Sequence, residues 1–195
     1  VDASFAGDWN SAWSEEPSLV MSRTGYVIMF AACPVIWCSK LQTEISLSTT
    51  ESEYIALSQA MRDVIPMIDL LGELKQAIPI LQRTPTLHCM VFENNRGCID
   101  LINFPKLRPR TKHIALKYHH VREHVKKKTI VVKYVETTDQ LADIFTKALS
   151  APPFWKRRRG SARSKPKKKA RMAPTYLKGM MTLASPRCKA KVIAT

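Results

Sequence analysis

The order of the elements that the sequence predicts, β-β-β-α-β-α-α-β-α, is that of an α/β fold in which helices cover a mixed sheet. Three observations carry this. Two β-rich runs, Thr24 to Ala31 and Val35 to Gln42, flank the turn signal Cys33-Pro34 and predict an antiparallel hairpin. A long stretch, about Thr49 to Gln76, repeats its apolar residues at helical spacing. Beyond it, the β runs Thr86 to Phe92 and Thr129 to Val135 alternate with helical patterns.

The elements follow in order. Asp2 to Asp8 reads as the end of a strand running into a loop, so the first strand is expected to be truncated and the chain to be a piece of something longer. Trp9 to Ser22 is polar and suits a surface loop. Tyr26, Phe30 and Trp37 alternate within the hairpin, as side chains packing on a sheet do. Ser48 and Glu51 then form the Ser-x-x-Glu capping box that starts the long helix. Pro66 inside that helix predicts a kink. A linker from Ala77 to Pro85 leads to the strand ending at Phe92, a short helix over Asn95 to Asn103, and an irregular basic loop containing Pro105 and Pro109. Ile114, Leu116, Tyr118, Val121 and Val125 give Thr111 to Lys127 a helical pattern. A last helix, Asp139 to Leu149, is expected after a cap at Thr137 or Thr138. Pro152-Pro153 closes the domain, which divides the chain into a domain of 1–150 and a basic tail of 151–195.

The charge is unevenly placed. The 195 residues carry 31 Lys or Arg against 16 Asp or Glu, a net +15, yet 14 of the basic residues and none of the acidic ones lie in the tail. The domain itself is close to neutral. Tail clusters Lys156-Arg157-Arg158-Arg159 and Lys165-Pro166-Lys167-Lys168-Lys169 read either as a nuclear localisation signal that also binds nucleic acid without sequence preference, or as a run with no selected role. Disorder is the expected state of 156–195. Cys33, Cys38, Cys89, Cys98 and Cys188 lack the spacing of a metal site or disulfide framework and read as free thiols. His119 and His120 diverge on a helix without a Cys or acidic partner at ligand spacing, which argues against zinc. No apolar run approaches membrane-spanning length, so no membrane partner is expected.

One residue conflicts with its surroundings. Steps of three and four from Glu53 reach Leu57, Ala60, Val64, Ile68 and Leu71, the apolar stripe of the long helix. Glu53 therefore aims a carboxylate at the core, which is costly unless the charge is paired or holds a metal. The plainer reading is a first-turn acid favoured by the helix dipole.

Six short motifs occur in order: Asp2-Ala3-Ser4-Phe5-Ala6-Gly7, Ser22-Arg23-Thr24-Gly25-Tyr26, Trp37-Cys38-Ser39-Lys40-Leu41-Gln42, Leu47-Ser48-Thr49-Thr50-Glu51-Ser52-Glu53-Tyr54, Arg110-Thr111-Lys112-His113-Ile114 and Leu141-Ala142-Asp143-Ile144-Phe145-Thr146-Lys147. Singly they are weak. As an ordered set, over about Val1 to Leu149, they resemble the ribonuclease H domain at the C-terminus of copia-type retrotransposon polyproteins. The resemblance implies a ribonuclease H-like mixed sheet of five strands, with strands 1–3 antiparallel and strands 4 and 5 parallel to strand 1. It implies two Mg²⁺ ions, bound by carboxylates because hard cations take oxygen ligands. It also implies an RNA–DNA hybrid substrate, a reverse transcriptase once continuous upstream, and a cytoplasmic or nuclear location.

Carried over residue by residue, Asp2, Glu53 and Asp143 match three metal-binding carboxylates. The fourth is expected where the chain reads Phe92-Glu93-Asn94-Asn95, with Asn94 standing at the family's aspartate position. Glu93, next along a strand, is expected to face away from Asp2 and Glu53. The reading that follows is weakened magnesium binding and slow or absent hydrolysis. His113 is a candidate near the scissile phosphate, or a packing and capping residue. Arg110, Lys112 and Lys147 are candidate nucleic-acid contacts, with solvated basic surface as the alternative. Competing readings of function are a nucleic-acid-binding relic of the same fold without catalysis, and non-specific binding through the tail.

Overall fold

The computed structural model describes residues 1–7, 17–79, 82, 86–104, 115–162 and 180–183. Strands β2 (Arg23–Phe30) and β3 (Cys33–Leu41) form the antiparallel hairpin. It turns at Ala31-Ala32 and not at Cys33-Pro34. Both alanines have positive φ, 50° and 63°, the pairing that lets a two-residue turn follow the twist of its strands. Nothing in Ala-Ala announces such a turn, which usually carries Gly or Asn. Pro34 lies within β3, where a register shift between Ile28 and Met29 of β2 skips Val35. Pro is tolerated there because β3 pairs only with β2 and forms a sheet edge. Trp37 on this edge is 63% exposed, so it does not pack in the sheet as its alternation predicts, whereas Tyr26 is buried.

Strand β1 (Asp2–Ser4) pairs antiparallel with β2, Asp2 opposite Gly25. Strands β4 (His88–Glu93) and β5 (Ile130–Tyr134) run parallel to each other. These directions agree with the implied α/β arrangement, but the sheet has six strands. The additional one, β6 (Met180–Leu183), comes from the tail and lies between β2 and β4, antiparallel to the first and parallel to the second.

Helix α2 (Thr49–Ala77) crosses one face of the sheet. Ser48 Oγ accepts the N–H of Glu51 at 3.2 Å, and the Glu51 carboxylate accepts the N–H of Leu47 at 2.8 Å. The capping box therefore closes one residue further out than the usual reciprocal pair. The predicted stripe is the buried one: Glu53, Leu57, Ala60, Val64 and Ile68 are all within the core-facing set, together with Tyr54 and Met61. They pack against Tyr26, Ile28, Cys89, Val91 and Ile130 of the sheet. The helix runs through Pro66. Short helices α1 (Pro17–Val20), α3 (Arg96–Asn103) and α4 (Ala115–Lys126) complete the helical part before β5.

The other face of β2 presents Val27 and Met29, covered by Leu141, Ala142 and Phe145. This double cover is why β2 is buried without alternation. The covering residues form two 3₁₀ turns, Thr137–Asp139 and Leu141–Phe145, and not the predicted helix Asp139 to Leu149. The cause is Gln140, fully buried and extended between the turns. Its Nε2 donates to Val1 O at 2.5 Å, and its own carbonyl accepts Nε of Arg157 at 2.8 Å, so that carbonyl is committed outside the helical ladder. Helix α5 (Ala151–Ala162) follows, with Pro152 and Pro153 in its first turn, where missing N–H groups cost nothing. The expected disorder of 156–195 therefore does not hold for α5 or β6. Among the described residues, no helix is long and apolar enough to cross a membrane.

Candidate active site

Carboxylates from four elements converge where β1 meets β2, β4 and the start of α2. Asp2 lies on β1, Glu53 in the second turn of α2, Glu93 at the end of β4 and Asp143 in the second 3₁₀ turn. All are buried, at 0%, 6%, 0% and 2% exposure. Gly25 sets the last position. A Cβ there would stand 2.5 Å from Thr146 Cγ2 and 3.0 Å from both Ala142 O and Phe145 Cβ. Only a residue without a side chain lets this turn lie directly on β2, opposite Asp2.

The turn then serves Asp2 and Asp143 directly. The hydroxyl of Thr146 donates to Asp2 Oδ2 in a very short hydrogen bond. Lys147 Nζ lies 2.9 Å from Asp143 Oδ1 and 3.3 Å from Asp2 Oδ2, bridging both. Arg157 of α5 places Nη2 2.6 Å from Asp143 Oδ2 and also donates to the carbonyls of Gln140 and Thr137.

The glutamates are differently placed. Glu93 Oε1 accepts the N–H of Asn95 at 2.9 Å, but Glu93 Oε2 and Glu53 Oε2 are buried with no hydrogen-bond partner among the described residues. Burial pushes the Glu53 carboxyl well above its usual range, with Glu93 and Asp2 adding repulsion. Burial likewise raises Glu93 to about 7 and Asp2 to about 6, the latter despite the opposing pull of Lys147. Lys147 gains from the same pairing: its pKa is raised by Asp2 and Asp143 against the opposing effect of its own burial. The backbone nitrogen of Val1 donates to Phe92 O at 3.0 Å beside this cluster.

The expectation for positions 93 and 94 is reversed. Along β4, burial alternates so that Cys89, Val91 and Glu93 share the core face. Glu93 thus joins Asp2 and Glu53, while Asn94 turns its Nδ2 toward Thr137 Oγ1 at 3.4 Å and leaves its Oδ1 buried without a partner among the described residues. The alternation rule was sound, but its phase has to be anchored on the apolar residues. Cys89 and Val91 could have supplied that anchor.

Lys147 sits against the acids as an ion-pair partner. His113, Arg110 and Lys112 lie outside the described residues. Thr146 and Arg157 were not singled out by sequence reasoning: Thr146 was visible in the Thr-Lys motif, whereas Arg157 was one of four consecutive basic residues with nothing to distinguish it.

The donor chemistry suits hard cations, because buried anionic oxygens without partners are what such an ion satisfies. As the side chains lie, however, no group of three or more Cys, His, Asp or Glu among the described residues is arranged to close on one ion. Lys147 and Arg157 hold oxygens that an ion would need.

No protein-family model and no solved structure matches the chain. Among curated proteins it is similar to the retrovirus-related Pol polyproteins from transposons RE1 and RE2 of Arabidopsis thaliana, 34% identical to each over 142 and 153 residues, or 73% and 78% of the chain. It is also similar to the retrovirus-related Pol polyprotein from transposon TNT 1-94 of Nicotiana tabacum, 33% identical over 154 residues, or 79% of the chain. The chain spans only 9–10% of the length of these relatives.

Proposed function

From the premise that the chain belongs to a region of the retrovirus-related Pol polyproteins of copia-type transposons, we propose that this region is a ribonuclease H-like unit hydrolysing the RNA strand of RNA–DNA hybrids. The observation that carries the proposal is the convergence of Asp2, Glu53, Glu93 and Asp143, buried together with two carboxylate oxygens unpartnered. Buried carboxyls in such a setting either keep a proton, as their raised pKa values indicate, or are completed by a cation, and a cation would release that proton. These four residues would hold Mg²⁺. The ions would supply the positive charge that activates a water and stabilises the leaving oxygen of a cleaved phosphodiester.

The chain's own residues do the remaining work. Thr146 and Lys147 orient Asp2 and oppose the rise that burial gives its pKa. Arg157 ties Asp143 to α5. Gly25 keeps their turn seated on β2. With Glu93 supplying the fourth carboxylate, Asn94 no longer supports a defective site.

The test is incubation of the chain with an end-labelled RNA–DNA hybrid, with Mg²⁺ or with chelator. The expected result is Mg²⁺-dependent cutting of the RNA strand that Glu53→Gln abolishes. Cutting that survives Glu53→Gln would reject the proposed site. A second reading, hybrid binding without turnover, rests on Lys147 and Arg157 already occupying oxygens of Asp2 and Asp143. Binding without any cutting would select it.

A further inference from the structure

Beyond Glu93 the face of the sheet that carries the carboxylates continues to a stacked pair at its rim. In the parallel ladder of β4 and β5, Cys89 stands beside Ile130, Val91 beside Val132 and Glu93 beside Tyr134. Residues paired across a ladder point to the same face. Cys89, Val91, Ile130 and Val132 all pack in the core that α2 covers. Tyr134 therefore lies on the face of Glu93, one strand spacing away, about 4.8 Å. Val135 N donates to Glu93 O at 3.0 Å and closes the ladder there. Tyr134 is 47% exposed whereas Glu93 is fully buried, so the row opens to solvent at the tyrosine. Arg96 covers the ring, its guanidinium carbon 4.9 Å from the centroid. We propose that Arg96, held flat on Tyr134, grips a backbone phosphate of the strand being cut, next to the one whose ester bond is broken.

Local structure disfavours an arginine here unless an anion meets it. Arg96 is the first residue of α3, directly after the Asn95 cap, whose side chain accepts the N–H of Cys98 at 2.9 Å. The first turn of a helix favours negative charge, yet that of α3 holds no acid. Among the described residues no carboxylate forms an ion pair with Arg96. Gly97 fixes the turn in place. A Cβ there would stand 2.8 Å from Thr50 Oγ1 and 3.2 Å from Asn95 Oδ1, so α3 begins directly against the start of α2, one turn before Glu53. The exposed cation is thus mounted on α3, braced by α2 and by the end of β5, at a fixed place beside the carboxylates.

The stacking decides what the arginine can bind. It uses the face of the guanidinium and leaves the N–H edge directed away from the ring. That edge matches two oxygens of one phosphate. A nucleobase would have to take the ring face that Arg96 already covers, so a phosphodiester is the occupant that fits. The proposal rests on the ribonuclease H-like reading above, in which a strand reaching Glu53 and Glu93 passes this rim and brings a phosphate on either side of the bond to be cut. Arg96 positions the strand and Tyr134 positions Arg96; neither touches the reacting atoms. Lys133, the residue before Tyr134, points to the opposite face of the sheet and takes no part.

The test is binding of the full chain to a fluorescent RNA–DNA hybrid in chelator, so that no cutting intervenes, over a series of KCl concentrations. Arg96→Gln should flatten the slope of log Kd against log salt by about 0.9, the share of one phosphate contact, which is about eightfold weaker binding at about 0.1 M salt. Lys133→Gln removes the same charge beside Tyr134 but on the other face, and should leave the slope unchanged. Tyr134→Ala should weaken binding severalfold and Tyr134→Phe should restore it, since the ring and not the hydroxyl carries the arginine. Arg96 and Tyr134 are exposed, so all four variants should keep the native urea midpoint. An unchanged slope in Arg96→Gln, an equal change in Lys133→Gln, or no binding by the native chain overturns the proposal. A native chain that binds with this Arg96-dependent slope and cuts nothing supports the phosphate contact and refutes only the ribonuclease reading. A chain that cuts the hybrid, with Arg96→Gln binding and cutting as well as the native protein, refutes only the contact.

Discussion

Replacing Glu93 with glutamine should stabilise the protein at pH 8 in chelator and do much less at pH 5. Glu93 is fully buried, keeps one oxygen on the Asn95 N–H and leaves the other unpartnered. Its carboxyl is pushed up from 4.5 to about 7, first by burial. Below pH 4.5 both folded and unfolded chains hold the proton, and the group exerts no effect. Between 4.5 and 7 the unfolded chain releases its proton while the folded chain retains it, so stability falls as pH rises. Above 7 the loss is complete. At ~1.4 kcal/mol per pH unit, the cost of the native glutamate is about 3 kcal/mol at pH 8 and about 1 kcal/mol at pH 5. Glutamine keeps the acceptor for Asn95 and removes the charge that helps raise Glu53. Urea unfolding at both pH values measures the difference. Mg²⁺ at pH 8 should stabilise the native chain and leave Glu93→Gln largely unaffected. A variant destabilised at pH 8, or shifted equally at both pH values, would refute the assignment of Glu93 to a strained acidic cluster.

Gly25→Ala forces a Cβ against Thr146, Ala142 O and Phe145; it should cost about 1–3 kcal/mol in urea unfolding and lower hybrid cleavage by moving Asp143, whereas an unchanged midpoint would show that the turn can simply lift away. Ser48→Ala removes the oxygen that accepts the Glu51 N–H and should cost about 1 kcal/mol, or about 2–4 °C in a thermal melt; no shift would mean that the Glu51–Leu47 bond suffices. Asn94→Asp should leave hybrid cleavage within about twofold of the native rate, because Asn94 follows the end of β4 and turns its amide toward Thr137. A tenfold rise would return that position to the metal site.

What was legible in the sequence was what local chemistry decides. The start of α2 follows from Ser48 and Glu51 alone, and its buried face follows from spacing. Glu53 could therefore be placed on the core line before anything else was known. Asp2 and Asp143 could not be found that way, since each is an ordinary acid in isolation; they came from the order of the motifs. What was lost depends on distant partners. The turn at Ala31-Ala32 is imposed by the twist of β2 and β3, not by turn-forming residues. The last predicted helix fails because Gln140 spends its side chain on Val1 and its carbonyl on Arg157. β6 has no strand signature, and the sheet on either side gives it one. Glu93 is a different case, for the rule applied to it was correct and only the phase was wrong.

The four carboxylates are not equivalent, and this bears on how the proposed ions would bind. On the Asp143 side the chain supplies its own cations: Lys147 bridges Asp143 and Asp2, and Arg157 takes the remaining Asp143 oxygen. On the Glu53 and Glu93 side it supplies no direct side-chain partner for either free oxygen among the described residues. Raised carboxyl pKa values on that side are the electrostatic statement of the same deficit. A cation entering beside Glu53 and Glu93 meets two buried oxygens without hydrogen-bond partners among the described residues, and leaves Lys147 and Arg157 on Asp2 and Asp143. A second cation beside Asp143 must first compete with Lys147 and Arg157, both already within ion-pair distance. Occupancy of the two positions should therefore be sequential, the glutamate side filling at lower Mg²⁺. Any cutting that needs both ions would then be governed by how readily Lys147 and Arg157 give way.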